Sequence, residues 1–142
     1  MLPAVLSAAI GADESACLAP GELDTVLDFK GKELVENNLG GIGYDSWAPP
    51  HLRFANVGTT GTFSSVGPNV SFDLVITNTT EYRFYNYQWT RVNGEFGEIN
   101  LLGSDDWSIT AEYGLKFCAV RSGESIDNLI TLKKFPLTFY DL

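Results

Sequence analysis

Apolar and polar residues alternate with a period of two in many short segments, and this pattern restricts the fold more than any other feature. The clearest segment is residues 70–77, VSFDLVIT, in which Val, Phe, Leu and Ile alternate with Ser, Asp, Val and Thr. A β-strand places successive side chains on opposite faces of a sheet, so this pattern is typical of a strand. No segment has a sustained helical repeat, although residues 31–38 are long enough for one or two helical turns. We therefore expect an all-β fold.

The same pattern predicts further strands, with turn residues between them. They are expected at residues 22–29, 52–57, 82–89, 96–102, 107–113, 115–121, 128–132 and 135–141. Asn93-Gly94 is a strong hairpin signal, and residues 103–106 and 122–124 are turn sequences. About eight or nine strands spaced by about 8–12 residues are typical of a single antiparallel β-sandwich, jelly-roll or immunoglobulin-like. We assign this domain to residues 22–142 and an irregular, extended N-terminal arm to residues 1–21.

Composition and charge exclude several classes of protein. The chain has 18 acidic and 9 basic residues and a net charge of −9, so it lacks the basic patch that a nucleic-acid binder needs. A hydrophobic content of 44% is too high for a disordered acidic tail. No apolar run approaches the ~18 residues of a membrane span, so no transmembrane segment is expected. The Gly-rich residues 39–45 lack the GK[ST] ending of a phosphate loop and are interpreted as a plain loop.

The N-terminal arm combines an apolar stretch with acidic residues. Residues 1–12, MLPAVLSAAIGA, resemble the apolar part of an export signal but lack its positive start. Leu2, Val5 and Leu6 are candidates for contact with a partner protein or a membrane surface, although the arm has equal reason to pack on its own domain. Five acidic residues precede the first basic residue, Lys30. They form either a solvated arm or a docking arm for a basic partner.

Cysteine and histidine are scarce. Cys17 and Cys118 form either one disulfide, which would stabilise the fold by roughly 4–5 kcal/mol, or two thiols in a reducing compartment. The single histidine, His51, follows two prolines. This is too little material for a zinc site or a histidine-based catalytic triad. We expect no catalytic residues, no resident metal, no cofactor and no enzymatic activity.

Several residues with side-chain oxygens are candidate calcium-binding or glycosylation sites. Asp45, Asp105, Asp106 and Asp141 are loop or strand-end carboxylates that suit calcium, but no DxDxDG loop occurs and solvated turn residues are the favoured interpretation. Two sequons begin at Asn69 and Asn78 and flank the clearest strand. They would carry glycans only in a secreted chain, and as turn residues they leave the compartment open.

The aromatic run at residues 82–89, YRFYNYQW, is the most unusual local feature. On a strand, Phe84 would continue one face, and the other would carry the candidate interface residues Arg83, Tyr85, Tyr87 and Trp89, with Tyr82 beginning the run. Tyr, Trp and Arg dominate protein interfaces, and aromatic rings also stack on sugars. Three interpretations stay open: a protein interface, a glycan platform and internal packing.

Five segments carry a resemblance to a known domain. They are LRFANVG at residues 52–58, SFDLVITN at 71–78, NGEFGEINLL at 93–102, KFCAV at 116–120 and PLTFYDL at 136–142. Together they resemble a β-sandwich domain of uncharacterised proteins of diatoms, dinoflagellates and other red-lineage algae. These motifs describe strands and turns, so the resemblance implies a fold and no chemistry. Members often continue beyond the final string, which implies that this chain is part of a longer polypeptide.

The resemblance implies one functional context, and the sequons favour another. The first is a non-catalytic subunit that contacts the protein subunits of a larger assembly, such as a peripheral soluble subunit of an algal photosystem of the photosystem I type. Such a subunit would be plastid-localised and associated with the thylakoid membrane complex. The alternative is a secreted or cell-surface module that binds glycans or calcium.

Overall fold

The computed structural model describes residues 5–8, 25, 27–62, 64–104 and 111–132 of the chain. This part contains β-strands, two short 3-10 helices at Leu39–Gly41 and Tyr87–Trp89, and no α-helix, so the all-β prediction is confirmed. The strands are β1 Val5–Ala8, β2 Glu33–Asn37, β3 Leu52–Thr59, β4 Ser71–Asn78, β5 Arg91–Asn93, β6 Phe96–Glu98, β7 Glu112–Arg121 and β8 Leu129–Ile130. Neither short helix of the described ranges is long and apolar enough to span a bilayer.

Among the described residues, the named strands pair in one large sheet and one hairpin. The large sheet has the order β1-β7-β4-β3-β2, and β8 pairs with β7 as well. Strands β2, β3, β4, β7 and β8 pair antiparallel, whereas β1 runs parallel to β7 with Val5 opposite Glu112. Strand β1 lies in the arm that was expected to be irregular, and its pairing with β7 gives those four residues a regular structure.

Strand β4 is central and is buried on both faces. Phe72, Leu74 and Ile76 belong to the main apolar cluster, and Asp73 and Val75 on the opposite face are also buried. Hydrogen-bonded neighbours β3 and β7 flank this strand on both sides. The buried members of the main cluster are Leu39, Leu52, Phe54, Val57, Phe72, Leu74, Ile76, Tyr82, Tyr113, Leu115, Ala119 and Ile130.

The structure confirms the strands predicted within residues 52–57, 70–77 and 115–121, which correspond to β3, β4 and β7. The Asn93-Gly94 hairpin is also present: β5 and β6 pair through a turn in which Gly94 has φ 61°. Within residues 22–29, the described contacts include an isolated bridge from Leu27 to Gly58. The parts of the predicted strands at 22–24, 26, 107–110 and 135–141 lie outside the described residues.

Two local predictions are wrong. Residues 31–38 were expected to have room for helical turns, but Glu33–Asn37 form β2, because pairing with β3 gives their backbone groups partners that a short isolated helix lacks. Residues 82–89 were expected to form a strand. They instead run into the 3-10 helix Tyr87–Trp89, which begins where the Asn86 side chain accepts a hydrogen bond from the Gln88 amide.

A buried carboxylate joins the three central strands. The Asp73 side chain is 3% exposed and accepts hydrogen bonds from Arg53 Nε at 2.8 Å, the Asn56 amide at 2.9 Å and Ser122 Oγ at 2.7 Å. The Gly123 amide donates a further bond at 3.3 Å. The donors come from β3, from its bulge and from the turn after β7. Asp73 therefore fixes how these elements pair.

The surroundings of Asp73 also change its proton affinity. Burial by itself raises the pKa of this carboxyl, but the hydrogen bonds from Asn56, Ser122, Arg53 and Gly123 outweigh burial, so its pKa lies below the ordinary 3.8. Because folding lowers this pKa, the stability that the carboxylate contributes is fully present above the unfolded pKa of about 3.9. This contribution is lost as the pH falls through the lower pKa of the folded state.

Replacing Asp73 by Asn should destabilise the fold strongly. Asp73→Asn leaves the Arg53 guanidinium buried without its counter-charge, and we expect a loss of about 3–5 kcal/mol in the free energy of unfolding by urea at neutral pH. Glu95→Gln is the matched control, because Glu95 makes an exposed ion pair with Lys30 at 3.2 Å and such pairs contribute little. Equal stability of the two variants would contradict the role given to Asp73.

The stability difference between the wild type and Asp73→Asn should itself depend on pH. We expect the full difference in urea midpoint near neutral pH and a progressive decrease below a pH of about 4, as the wild-type carboxylate becomes protonated. Comparing the two proteins at each pH cancels the titration of other carboxyl groups that both contain. A difference that stays constant down to pH 3 would show that the charge of Asp73 is not what stabilises the fold.

Candidate protein interface

Four aromatic side chains form two ring pairs that are open to solvent. Tyr44 and Tyr87 stack with ring centroids 5.5 Å apart and planes 28° apart, and Tyr85 and Trp89 lie 5.6 Å apart. Tyr44, Tyr85 and Trp89 are 69%, 62% and 48% exposed, and Tyr87 is half-buried. The pairs are connected because Tyr87 and Trp89 belong to one 3-10 helix. These four residues are called the aromatic surface below.

Further rings connect this surface to the core. Tyr87 contacts Phe84 with centroids 6.1 Å apart, Phe84 contacts Tyr82 at 6.1 Å, and Tyr82 contacts Tyr113 at 6.3 Å. Tyr82 is only 6% exposed, and its hydroxyl donates to the Asn100 carbonyl at 2.7 Å. Burial raises the pKa of both the Tyr82 and the Tyr113 hydroxyls. Tyr82 was a candidate interface residue, but here its ring packs in the core.

Asn37, at the end of β2, makes hydrogen bonds to both chain segments that carry the aromatic surface. Its side-chain amide donates to the carbonyls of Tyr87 at 3.4 Å and Thr90 at 3.2 Å. Its backbone amide donates to Asp45 Oδ2 at 2.8 Å, and the Asp45 amide donates back to the Asn37 carbonyl at 3.0 Å. One residue therefore fixes the loop that carries Tyr44 and the 3-10 helix that carries Tyr87.

The loop of residues 39–50 is also tied internally. Asn38 donates to the Ala48 carbonyl at 2.6 Å and accepts from the Gly43 amide at 3.1 Å. Gly43 lies so close to β2 that a Cβ atom there would be 2.1 Å from the Asn37 carbonyl oxygen. At the end of the loop, the buried His51 ring lies 2.5 Å from Glu36 Oε2. The loop is thus held against β2 along its length.

Polar side chains around the aromatic surface make hydrogen bonds within the protein. Asn100 Oδ1 accepts from the amides of Tyr85 and Asn86, both at 2.8 Å, and Asn86 Oδ1 accepts from Gln88 at 2.9 Å. By contrast, within the described ranges no hydrogen bond involves the hydroxyls of Tyr44, Tyr85 and Tyr87 or the indole N–H of Trp89. The surface therefore presents ring faces together with hydroxyl and indole N–H groups, while the Asn86 and Asn100 side-chain oxygens already accept backbone amides.

The surface carries little formal charge. Residues 39–50 and 84–90 contain one charged side chain, Asp45, which faces Asn37. The adjoining Arg83 pairs with Glu81 at 2.9 Å, and this pair raises the pKa of Arg83. Arg91 pairs with Glu98 at 3.0 Å. The candidate residue Arg83 is thus exposed and accompanied by a carboxylate.

Sequence reasoning missed the contribution of residues 39–50. The sequence was interpreted here only as a loop without phosphate-binding features. In the structure this segment carries Tyr44, Trp47, which is 75% exposed, and Ile42, which is 49% exposed. Three large apolar residues in a nearly uncharged loop were a signal available in the sequence. The pairing of Tyr44 with Tyr87 was not, because it joins residues far apart in the chain.

The remaining candidates in the N-terminal arm and the cysteines are only partly described. Val5 and Leu6 lie in β1 opposite Glu112 and Tyr113, and their side chains are outside the described part, as is Leu2. Cys118 is a half-buried free thiol in the structure. Cys17, its candidate disulfide partner, lies outside the described residues.

The candidate calcium ligands and glycan acceptors are only partly described. Asp105, Asp106 and Asp141 lie outside the described residues, and Asp45 accepts the Asn37 amide hydrogen bond. No group of three or more His, Cys, Asp or Glu suited to a metal occurs among the residues that are described. Of the sequon residues, Asn69 is exposed at φ 62°, and Asn78 donates to the Thr80 carbonyl at 2.8 Å.

Comparisons with known proteins give no family for this chain. No protein-family model, no curated protein and no solved structure matches it. The resemblance to an algal β-sandwich domain therefore stays a prediction from the sequence.

Gly43→Ala should loosen the loop that carries Tyr44. The added methyl meets backbone atoms of Asn37 and Asn38, so we expect several kcal/mol of destabilisation or a displaced loop, measured by urea unfolding and near-ultraviolet circular dichroism. Gly31→Ala is the control, because Gly31 has positive φ but open space around it, and strain alone costs about 1–2 kcal/mol. If Gly43→Ala changes neither measurement more than Gly31→Ala, the close packing of the loop on β2 is refuted.

Proposed function

We propose that this chain is a non-catalytic binding subunit that docks onto another protein through the aromatic surface. The observation that carries the proposal is the pair of exposed ring contacts, Tyr44–Tyr87 and Tyr85–Trp89. Their backbone is held by the Asn37 side chain, which donates to the Tyr87 carbonyl, and by the Asn100 side chain, which accepts from the Tyr85 amide. Tyr and Trp are the residues that most often dominate binding energy at protein interfaces. Isolated exposed apolar residues are ordinary on protein surfaces, but a cluster of them is characteristic of an interaction site.

The fixed loop and helix support a docking role because they lower the cost of binding. Ordering a flexible side chain or loop on association costs free energy that is subtracted from the affinity. Here Asn37 bonds both segments before a partner arrives, and the ring contacts continue through Phe84 to Tyr82 in the core. The two ring pairs are thus pre-organised.

A protein partner is favoured over a glycan by the hydrogen bonding around the rings. A sugar presents many hydroxyl groups, and a binding site for it needs directed polar side chains beside the ring faces. The side-chain oxygens of Asp45, Asn86 and Asn100 already accept hydrogen bonds from backbone amides. Apart from the exposed Gln88 side chain and the Tyr hydroxyls, what is left is chiefly apolar contact area, which suits burial against a protein.

The cellular context of this proposal comes from the sequence resemblance. We propose a peripheral, soluble subunit of an algal photosystem of the photosystem I type, plastid-localised and associated with the thylakoid complex. The net charge of −9 would orient the chain toward a basic region of its partner. The competing context is a secreted or cell-surface module, for which the exposed Asn69 is a glycan acceptor.

We further propose that the large sheet and the β5–β6 hairpin belong to a sandwich. Burial of Asp73 and Val75 on one face of β4, and of Phe72 and Leu74 on the other, supports layers on both sides of the sheet. Val92 of the hairpin and the following Ile99 pack against the main apolar cluster. A sandwich would leave loops such as residues 39–50 at its end, where binding surfaces are common.

Removing two rings should release the chain from its partner without unfolding it. We expect Tyr85→Ala combined with Trp89→Ala to lower the fraction retained in a native complex at least tenfold, since each central aromatic residue contributes about 2 kcal/mol or more. Leu129→Ala is the control, because Leu129 is 56% exposed but lies on β8, at the sheet edge opposite β2. Retention is measured by native size fractionation and mass spectrometry without reductant, and folding by circular dichroism.

The outcomes of this experiment test the docking surface and the cellular context separately. Retention that falls only in the ring variant, in a large pigment–protein complex and with unmodified Asn69 and Asn78, supports both the docking surface and the photosystem context. Unchanged retention, or a double variant that unfolds, contradicts the proposed surface. A free glycoprotein contradicts the photosystem context and favours the secreted alternative.

A further inference from the structure

We propose that Asn93 is a site of spontaneous deamidation, that its hydrogen bond to Glu98 restrains this reaction, and that the modification loosens the hairpin beside the aromatic surface. The inference goes beyond the proposed docking function. Both the modification and the loosening are independent of whether the aromatic surface binds a partner.

Asn93 has the sequence and the surroundings that favour deamidation. Of the nine asparagines in the chain, it is the one that a glycine follows. Asparagine is a thermolabile residue, and a following glycine has no side chain to obstruct attack by its backbone nitrogen. The structure leaves this approach open, because Asn93 and Gly94 are both exposed and a Cβ atom built on Gly94 would meet nothing within 4 Å.

The reaction needs only solvent water as a co-reactant. The Gly94 backbone nitrogen attacks the side-chain carbonyl carbon of Asn93, and the new C–N bond closes a five-membered succinimide ring. The Asn93 amide nitrogen leaves as ammonia with the proton that Gly94 loses. One water molecule then opens the ring. Hydrolysis at one carbonyl gives aspartate, and hydrolysis at the other gives isoaspartate, whose main chain is longer by one carbon.

The Glu98 carboxylate restrains the Asn93 side chain. Asn93 pairs with Phe96 in the hairpin, so Glu98 is its diagonal neighbour on the same face. The Asn93 side-chain amide donates to Glu98 Oε1 at 2.6 Å, and Arg91 Nε donates to Glu98 Oε2 at 3.0 Å. Attack by the Gly94 nitrogen requires the Asn93 side chain to turn toward the main chain. That movement breaks a hydrogen bond to a charged acceptor.

Either product opposes the pairing of β5 with β6. Aspartate places a carboxylate where the Asn93 amide donated, facing the Glu98 carboxylate, and two like charges so close repel each other. Isoaspartate lengthens the main chain beside the two-residue turn Gly94-Glu95, and turn length fixes the register of a hairpin. The unmodified hairpin has neither strain.

The hairpin lies between two residues that hold the aromatic surface. Thr90, directly before β5, accepts the Asn37 side-chain amide on its carbonyl at 3.2 Å. The Thr90 hydroxyl accepts from the Asn100 amide at 2.9 Å, and Asn100 Oδ1 accepts from the Tyr85 amide at 2.8 Å. Pairing of β5 with β6 brings Thr90 and Asn100 together. Loss of that pairing therefore loosens the backbone of Tyr85.

The first test compares deamidation rates in the full chain. The protein is incubated in mildly alkaline buffer and its peptides are followed by mass spectrometry, with Asn128, which is exposed and followed by leucine, as the internal reference. We expect conversion of the amide to an acid at Asn93 and none at Asn128. Glu98→Ala should raise the Asn93 rate about fivefold or more. Arg91→Gln is the matched control, because it removes the other partner of Glu98 and keeps the Asn93 hydrogen bond, so its rate should equal that of the wild type.

The second test follows the structural consequence by hydrogen exchange and mass spectrometry. Asn93→Asp reproduces one reaction product, and we expect several-fold faster exchange in peptides covering residues 84–90 and 91–98. Asn128→Asp, which adds the same charge away from the hairpin, should leave both peptides unchanged.

Other results would overturn the inference. Absence of conversion at Asn93 would refute the modification site. Equal acceleration by Glu98→Ala and Arg91→Gln, or none by Glu98→Ala, would show that the hydrogen bond is not the restraint. Unchanged exchange of residues 84–90 in Asn93→Asp would refute the link to the aromatic surface. If retention in the native complex proves independent of Tyr85 and Trp89, the docking function fails and this inference stands.

Discussion

A buried negative charge in the central strand is the constraint on which the rest of the sheet depends. Asp73 lies in β4, where water cannot compensate its carboxylate, and leaving such a charge unpaired would cost several kcal/mol. Arg53 and the Asn56 amide from β3, and Ser122 and Gly123 after β7, must all reach it. A shift of either neighbouring strand by one residue would move these donors to the wrong face. The carboxylate therefore specifies one register among the many that apolar alternation alone would permit.

The large sheet positions the aromatic surface through a few contacts. Strand β3 fixes β2, and the last residue of β2, Asn37, then bonds both the loop of Tyr44 and the helix of Tyr87. From the other side, Phe84 carries ring contacts from the core to Tyr87. The aromatic surface is consequently an extension of the packed interior and not an isolated flexible patch.

The sequence predicted what local pattern controls and missed what tertiary contacts control. Alternation located β3 and β4, and Asn93-Gly94 located the hairpin, because turn geometry and strand faces are local properties. Glu33–Asn37 form a strand only because β3 offers a partner, which no local propensity reports. The aromatic run was recognised as unusual, but its rings divide between the buried Tyr82 and the exposed Trp89 because the chain turns at Asn86. Tyr44 joins them through a contact across 43 positions, 44 to 87.

The central claim, that the aromatic surface is covered by a partner in the native assembly, is tested most directly by hydroxyl-radical footprinting with mass spectrometry. The labelling of Tyr44, Tyr85 and Trp89 would be compared between the isolated chain and the chain in its native complex, with Leu129 as an internal reference on the opposite edge of the sheet. We predict that labelling of the three aromatic residues falls several-fold in the complex while labelling of Leu129 is unchanged. Equal labelling of the aromatic residues in both states would contradict it.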